Sequence, residues 1–327
     1  MNKILPDGAV ALTRNTKQIN SRVWGKIKRG EYRIVYASPE IILNKRGQFL
    51  GSVVSSKNKF MENLVAVAVD EAHLIWDWVG FRDKFQLLGT LRLVLNNVPW
   101  VLLSATLSPM IAAYTHEVCN LQRHTIRFIR SCSRDNIDLT VCPITTPRNL
   151  TPLLDLIGID IARGPLAIRK IVIFYDGIEG GQRIADALRS KIHPALAAKY
   201  NPRTLVQMFF GTLDELKKKQ TLSDLQAGTC RIVICTDAFG LGVDISNIDW
   251  VIQWNVDKKV PDLAVVSLMG KVSISALTQR AGRAARNDYM IGKAIFFVPK
   301  AILEAVPKDW EDGWEAKPSA RPGICHH

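Results

Sequence analysis

The sequence of 327 residues lacks the features that define membrane-bound, secreted or repeat proteins. No apolar run reaches the eighteen or so residues that a membrane-spanning helix needs, so we expect no membrane protein. The first residues include Asp7 and no long apolar core, so we also expect no signal peptide. No internal repeat occurs at short period, which argues against a solenoid or a propeller.

Cysteine is scarce, and its positions are scattered. No Cys-x-x-Cys pair occurs, nor any His and Cys cluster with zinc-site spacing. The six cysteines are Cys119, Cys132, Cys142, Cys230, Cys235 and Cys325. This pattern favours reduced, mostly structural thiols in an intracellular protein, and it leaves both cytoplasm and nucleus open.

Acidic residues are also few relative to basic ones. The chain has 43 Lys and Arg against 30 Asp and Glu, a net charge of +13. Residues 1–60 hold twelve basic and three acidic residues, so the excess is concentrated there. Such an imbalance favours a polyanionic partner, usually nucleic acid, although solvated basic surface is the alternative. A content of 47% hydrophobic and 22% charged residues predicts a globular protein.

Short apolar strands alternate with helical segments, a pattern typical of parallel sheets built from βαβ units. The fold class is therefore predicted as α/β. The predicted strands are 33–36, 64–69, 100–103, 170–175, 205–209, 231–235, 249–253 and 294–298, and the predicted helices include 180–191 and 214–225. A stretch rich in Pro and Thr at 143–151 predicts a linker. It separates a first domain, 1–145, from a second, 146–300, which a tail of uncertain order at 301–327 follows.

Two carboxylates and a histidine, Asp70, Glu71 and His73, follow the apolar run 64–69. We expect that run to form a strand buried on both faces, and open α/β sheets bind ligands at the carboxyl ends of such strands. In a nucleotide-hydrolysing site, an Asp at this place holds Mg²⁺ and a neighbouring Glu accepts a proton from the attacking water. The alternative is a charged turn after a core strand, and this would be the favoured interpretation if the Asp-Glu pair stood alone in the sequence.

Further polar segments follow other predicted strands. Ser104 and Thr106 end the strand 100–103, and their hydroxyls can bond to neighbouring groups. Thr236 opens a segment that contains Gly242 and Asp244. Its glycines permit a tight backbone whose exposed amides could meet phosphates.

A basic segment near the end of the second domain contains Gln279, Arg283 and Arg286. The two arginines are three residues apart, so on a helix they would share a face. A pair of guanidinium groups in that arrangement suits phosphate recognition. An ordinary solvated basic helix is the alternative.

Aromatic residues cluster just after Asp70–His73. Trp76, Trp78, Phe81 and Arg82 lie within a few residues of one another, beside charges and a glycine. Exposed rings next to an arginine would make a stacking platform for unpaired bases. Packing of the rings in the core is the alternative.

The order and spacing of these segments resemble those of superfamily 2 helicases, and most closely the RecQ family of DNA helicases. The segments are Tyr-Ala-Ser-Pro-Glu at 36–40, Asp-Glu-Ala-His at 70–73, Ser-Ala-Thr at 104–106, Ala-Phe-Gly-Leu-Gly at 238–242 and Gln-x-x-Gly-Arg-x-x-Arg at 279–286. The resemblance covers about residues 8–300. It implies two RecA-like lobes with parallel sheets, of which the first is incomplete, and ATP and Mg²⁺ as cofactors.

The resemblance also implies an activity and a role for each site residue. The activity is ATP-dependent 3′→5′ unwinding of duplex DNA in recombination and repair, by a nuclear or cytoplasmic monomer that binds single strands and duplex junctions. The residues assigned to ATP are Asp70 (with Mg²⁺), Glu71 (which activates water), Gly242, Asp244, Gln279, Arg283 and Arg286 (the arginine finger). Those assigned to DNA are Trp76, Trp78, Phe81, Arg82 and Thr236, and those assigned to coupling are His73, Ser104 and Thr106.

Two departures from the family pattern qualify these expectations. No Gly-x-x-x-x-Gly-Lys-Ser/Thr occurs, so we expect a first lobe that starts after the phosphate-binding loop, and a polypeptide that hydrolyses little ATP. Residues 266–275 exceed the family spacing and are either a surface loop or a translated, unspliced intron. An inactive nucleic-acid-binding helicase fragment is therefore the second hypothesis, and an RNA helicase is a weaker third.

Overall fold

The computed structural model describes residues 8–12, 21–44, 49–54, 57–79, 83–131, 133–162, 167–239, 245, 247–256, 274–287 and 289–304. The chain divides into two compact units, Met1–Cys132 (unit 1) and Ser133–His327 (unit 2). Each unit mixes helices with parallel strands, which confirms the predicted α/β class.

Unit 1 contains four described strands and six helices. The strands are β1 (Ala9–Leu12), β2 (Ile34–Ala37), β3 (Val67–Val69) and β4 (Trp100–Leu102). The helices are α1 (Ser21–Lys28), α2 (Pro39–Ile42), α3 (Lys59–Glu62), α4 (Leu74–Asp77), α5 (Leu88–Val94) and α6 (Pro109–Val118). A π-helical segment spans Phe49–Val54, and a 3₁₀ turn spans Asp83–Leu87.

The strands of unit 1 form two separate parallel pairs, β1 with β2 and β3 with β4. Val67 and Val69 face a core that includes Leu88 and Leu91 of α5, whereas Ala68 between them is exposed. Val65 just before β3 is 81% exposed. The expectation of a strand buried on both faces is therefore wrong for β3, because the described helices cover only one face of this narrow sheet.

The described residues of unit 2 contain six strands in one sheet. The strands are β5 (Ile137–Ile144), β6 (Ile171–Phe174), β7 (Val206–Phe209), β8 (Ile232–Cys235), β9 (Trp250–Trp254) and β10 (Gly292–Pro299). The helices are α7 (Thr151–Ala162), α8 (Ile178–Ser190), α9 (Pro194–Lys199), α10 (Pro202–Leu205), α11 (Glu215–Ala227), α12 (Ile274–Ala281) and α13 (Lys300–Leu303), with a 3₁₀ turn at Asp237–Phe239.

The sheet of unit 2 runs in the order β5-β10-β9-β6-β8-β7, and every pairing is parallel. The central strands β6, β8 and β9 are buried along their whole length. Ile171 and Ile173 of β6 join one core cluster, and Val172 and Phe174 join another, so both faces are covered. This is the arrangement expected of a parallel sheet with helices on both sides.

All eight predicted strands overlap observed strands, but the predicted boundaries need correction. The stretch 143–151 is not a linker, because its first two residues end β5 and Thr151 begins α7. The division falls instead at Cys132 and Ser133, since β5 pairs with β10 along all eight residues and so belongs to unit 2. The expected tail begins with α13, whose Ile302 is buried, and residues 305–327 lie outside the described residues.

Three further expectations concern parts of the chain that the structure describes only in part. Residues 266–273 lie outside the described residues, so neither the loop nor the intron interpretation of 266–275 is tested. No helix within the described ranges is long and apolar enough to span a membrane. Cys119, Cys142, Cys230 and Cys235 are free thiols, as the scattered spacing predicts.

Candidate functional site

The turn that follows β3 presents two carboxylates at the carboxyl end of that strand. Asp70 Oδ1 accepts a hydrogen bond from the Glu71 N–H at 2.9 Å. Glu71 has a left-handed backbone with φ of 50°, which costs a non-glycine residue about 1 kcal/mol or more. The Ala72 N–H donates to the Leu103 carbonyl at 2.9 Å, and this bond fastens the turn to the residue after β4. The turn therefore holds a strained shape that sets the directions of both carboxylates.

His73 connects this turn to the end of β4. Its side chain is buried, and its Nδ1 lies 2.9 Å from Ser104 Oγ, within hydrogen-bond distance. Ser104 Oγ also accepts a bond from the Thr106 N–H at 3.2 Å. Glu71 Oε2 lies 3.4 Å from the same nitrogen of His73. The structure thus brings together the three residues expected to couple two sites, although their coupling role stays a prediction.

The protonation of His73 follows from its burial. Burial lowers the pKa of the imidazole below its ordinary value, while the charges of Asp77 and Asp70 oppose that shift. The ring is therefore neutral at pH 7. A neutral ring has one accepting nitrogen, which can accept a hydrogen bond from the Ser104 hydroxyl.

The two carboxylates fit a magnesium ion that arrives with phosphates. Asp70 is exposed and Glu71 is partly exposed, so their oxygens can reach a hydrated ion. Mg²⁺ prefers oxygen ligands and is usually held by one or two carboxylates together with substrate phosphates and water. Within the described ranges, no group of three or more His, Cys, Asp or Glu residues could form a metal site from protein ligands alone.

The aromatic rings after the turn are less exposed than the sequence predicts. Trp76 lies in α4 and meets the Tyr114 ring edge-on at 4.9 Å, and Trp78 meets the Phe85 ring at 4.8 Å. Both tryptophans are half-buried, and Trp78 packs against the core of unit 1. The prediction of an exposed stacking platform is therefore wrong for these two rings. The reason is that α4 begins directly after the turn and directs them towards α6 and the 3₁₀ turn. Phe81 and Arg82 lie outside the described residues.

A polar bridge that the sequence pattern does not indicate holds α4 in place. Gln86 Nε2 donates to the Ile75 carbonyl at 2.7 Å, and the Tyr114 hydroxyl donates to Gln86 Oε1 at 2.6 Å. This bridge joins α4, the 3₁₀ turn and α6. Since α4 begins directly after the Asp70–His73 turn, the bridge also restrains the end of that turn. No local motif marks Gln86, since its partners are distant in sequence.

One candidate residue of unit 2, Thr236, lies at the carboxyl end of a central strand. Thr236 follows β8, and its N–H donates to the Phe209 carbonyl at 3.4 Å. The 3₁₀ turn Asp237–Phe239 comes next and directs Phe239 into the core. Gly242 and Asp244, assigned to the nucleotide, lie outside the described residues.

A buried arginine that sequence reasoning treated as a spacer organises this edge. Arg280 in α12 is 3% exposed, and its Nη2 lies 2.5 Å from Asp237 Oδ1 and 3.3 Å from Asp176 Oδ1. It also donates to Gln253 of β9, and its guanidinium lies 5.0 Å from the centre of the Phe174 ring. One cation therefore ties α12 to the ends of β6, β8 and β9. The sequence signal for this role was a pair of acidic residues, Asp176 and Asp237, that follow adjacent strands.

The basic segment 279–286 is helical only in its first part. Gln279 lies in α12, which ends at Ala281, so Arg283 and Arg286 do not share a helical face as expected. The N–H groups of Arg283 and Ala284 bond three residues back instead of four, and then the Ala285 N–H donates to the Ile248 carbonyl at 2.9 Å. Arg283 and Arg286 are half-buried in the turn that results. The helix ends because its hydrogen bonds are diverted to the segment before β9.

Two domain families match this chain, one in each unit. The family described as DEAD/DEAH box helicase matches residues 6–113, and the helicase conserved C-terminal domain matches residues 164–288. Among curated proteins, the ATP-dependent DNA helicase RecQ of Pasteurella multocida is 24% identical over 303 residues, covering 91% of this chain and 41% of that protein. The bifunctional 3'-5' exonuclease/ATP-dependent helicase WRN of Mus musculus is 27% identical over 242 residues, covering 74% and 16%. The chain spans less than half the length of these relatives.

Solved structures agree on the fold. Dbp5 of S. cerevisiae bound to RNA and ADP BeF3 aligns with a TM-score of 0.62 and 17% identity, covering 95% of this chain and 73% of that one. The helicase Lhr of Mycobacterium smegmatis, bound to ssDNA and AMP-PNP, aligns with a TM-score of 0.53 and 18% identity, covering 90% and 35%. These likenesses show that the two units have the fold of RecA-like helicase lobes.

Proposed function

We propose that this chain, a RecQ-like member of the DEAD/DEAH-box helicases, forms the motor core of a DNA helicase that uses ATP to separate strands with 3′→5′ polarity. The observation that carries the proposal is the hydrogen bond between buried His73 and Ser104 at 2.9 Å. An ordinary charged turn after a strand does not need a buried imidazole bonded to the end of the next strand. Such a bond is needed in a turn that transmits structural changes at the phosphates of a nucleotide to other parts of the protein.

The residues of unit 1 support the hydrolytic half of this activity. Magnesium bound with ATP would neutralise charge on the phosphates, and Asp70 would hold it. Glu71 would accept a proton from the attacking water as general base. Its left-handed backbone is consistent with this role, since strained residues cluster at functional sites.

The residues of unit 2 support stabilisation of the transition state. Arg286, with Gln279 and Arg283 beside it, would face the negative charge that builds on the transferred phosphoryl group. A guanidinium suits this task because it stays charged and presents several donors in one plane. Arg280 would not contact the nucleotide, since its donors already meet Asp237, Asp176 and Gln253.

DNA is the proposed substrate because the relatives matched over most of the chain are named DNA helicases. The net charge of +13 supports a polyanionic partner. Thr236, Phe81 and Arg82 remain candidates for DNA contact, whereas Trp76 and Trp78 would act by supporting the turn. A nuclear or cytoplasmic monomer that acts in recombination and repair remains our proposal for the biological setting.

The second candidate function is a nucleic-acid-binding helicase fragment without ATP turnover. One observation favours it: the 327 residues contain no Gly-x-x-x-x-Gly-Lys-Ser/Thr to hold the phosphates of ATP. Both functions predict DNA binding, and only the first predicts hydrolysis.

Steady-state ATP hydrolysis with single-stranded DNA, single-stranded RNA or no nucleic acid tests the two candidates. DNA-stimulated turnover of about 1 s⁻¹ or more, lost in Glu71→Gln, supports the helicase. Unwinding of duplexes with a 3′ tail but not a 5′ tail supports the polarity. DNA binding that weakens with salt, by about 0.7 in log affinity per phosphate contact and unit of log salt, but without turnover, supports the alternative. Stimulation by RNA alone would contradict the choice of DNA.

A further inference from the structure

The turn that carries Arg286 is confined on several sides. Ala285 is fully buried and has a left-handed backbone with φ of 42°, a conformation unfavourable for alanine. Its N–H donates to the Ile248 carbonyl at 2.9 Å. The start of β10 approaches closely, since a Cβ on Gly292 would lie only 2.8 Å from the Cβ of Ala285. Such a turn persists only when its surroundings hold it.

Two residues from the beginning of unit 2 supply most of that hold. Arg134 Nη2 donates to the Ala285 carbonyl at 2.7 Å. Asn136 Nδ2 lies 2.9 Å from the Ala285 carbonyl oxygen, 3.0 Å from that of Met290 and 3.4 Å from that of Asn287. An amide nitrogen has two hydrogens, so the two short contacts are the main bonds.

The same two residues also fix each other. Arg134 Nε donates to Asn136 Oδ1 at 3.1 Å, which orients the amide so that its nitrogen points towards the carbonyls of the turn. The Gly292 N–H donates to the Asn136 carbonyl at 2.9 Å, and this bond places Asn136 beside the start of β10. The pair is distant from the turn in sequence, and no motif singled it out.

We propose that Arg134 and Asn136 are positioning residues for Arg286. Their bonds hold the carbonyl of Ala285, the residue before Arg286, and approach the carbonyl of Asn287, the residue after it. They therefore fix the backbone from which the Arg286 side chain extends. This role rests on the proposed function of Arg286 in ATP hydrolysis. Charge stabilisation depends on placement, because a shift of about 1 Å can cost about 10²-fold in rate.

Hydrogen exchange followed by mass spectrometry tests the hold directly on the chain as it is. In Asn136→Asp the oxygen that accepts from Arg134 is kept, but the donor to the carbonyls is lost. We expect exchange in 283–292 to rise at least tenfold, with no change in β7 or β8. The matched control is Asn201→Asp, because Asn201 Oδ1 only accepts from the Arg203 N–H at 2.9 Å and Asp can replace it. Unchanged exchange in 283–292, or an equal rise throughout unit 2, would overturn the proposal.

ATP turnover of the same variants separates positioning from general stability. We expect Asn136→Asp to lower kcat about tenfold while the KM for ATP stays within about twofold. In an Arg286→Ala background, the same change should have no further effect on kcat, because its effect passes through Arg286. An equal further loss in that background would contradict the positioning role. Failure of the proposed function shows separately, as turnover that Arg286→Ala does not change.

Discussion

Units 1 and 2 contain similar apolar runs but bury them differently. All four residues of β6 in unit 2 are buried, with core clusters on both faces of the sheet. In β3, by contrast, Val67 and Val69 are only partly buried and Ala68 is exposed, and Val65 just before the strand is 81% exposed. An apolar run therefore predicts a strand in both units, but the number of neighbouring strands and helices decides how much of it is buried.

The two units also stabilise their candidate residues by different means. In unit 1 a strained backbone and the bond between His73 and Ser104 hold the turn. In unit 2 a buried cation, Arg280, bonds to groups at the ends of three strands. The stability of unit 1 should therefore depend on pH, and the stability of unit 2 should depend on the charge of Arg280.

The largest expected effect separates a catalytic role from a stabilising one within unit 2. In an active form of the chain supplied with a phosphate-binding loop, Arg286→Ala should lower DNA-stimulated ATP turnover by about 10³-fold with a much smaller change in KM, because an arginine finger meets charge that develops in the transition state. Arg286→Lys should recover little, since one ammonium cannot replace a planar guanidinium. Turnover within a few-fold of the unmodified chain would leave 279–286 as an ordinary basic segment.

Removal of the buried cation should destabilise unit 2 alone. Arg280→Ala leaves Asp176, Asp237 and Gln253 without their shared partner, which should cost about 1–3 kcal/mol, because Gln253 is buried whereas Asp237 is largely exposed. Urea unfolding, resolved by exchange of β8 against β4, measures the loss in each unit. Arg183→Ala, which removes an exposed arginine of α8, is the control. A loss below about 1 kcal/mol would show that the network contributes little.

Unit 1 should lose stability when the half-buried ring of Trp78 is removed. Trp78→Ala should cost about 2 kcal/mol of unfolding free energy, less than for a fully buried tryptophan, because the ring packs on Phe85. Leu93→Ala, at a side chain 63% exposed, should change stability little. The folded variant should bind single-stranded DNA normally in anisotropy titrations. Weaker binding by about 1–3 kcal/mol with unchanged stability would restore the stacking role.

The smallest effect is a pH dependence confined to unit 1. The pKa of His73 is lowered by burial, so the unfolded chain takes up the proton before the folded chain as pH falls. The stability of unit 1 should therefore decline below the ordinary histidine pKa of about 6.5. His73→Gln should remove that decline in urea unfolding at pH 5 and pH 7.5, while unit 2 serves as the internal control. An identical decline in the variant would assign it to other groups.

Sequence reasoning succeeds where structure depends on local pattern. The eight apolar runs predict eight of the ten described strands, and His73 lies beside Ser104, to which the resemblance assigns the same role. β5 gives no such signal, because five of its eight residues are exposed at the edge of the sheet. The roles of Arg280 and Asn136 also escape prediction, since their partners lie far away in sequence.

The pairing of β5 with β10 affects how unit 2 is made. The strand that begins this sheet in sequence finds its only described partner in the strand that completes it. During synthesis, β5 must therefore wait, unpaired, until the ribosome has released the end of the unit. Contacts so distant in sequence slow folding and prolong the exposure of unpaired strands. Asp138 and Pro143 in β5 are residue types that protect an unpaired strand from aggregation, and they offset the exposed Leu139 and Val141.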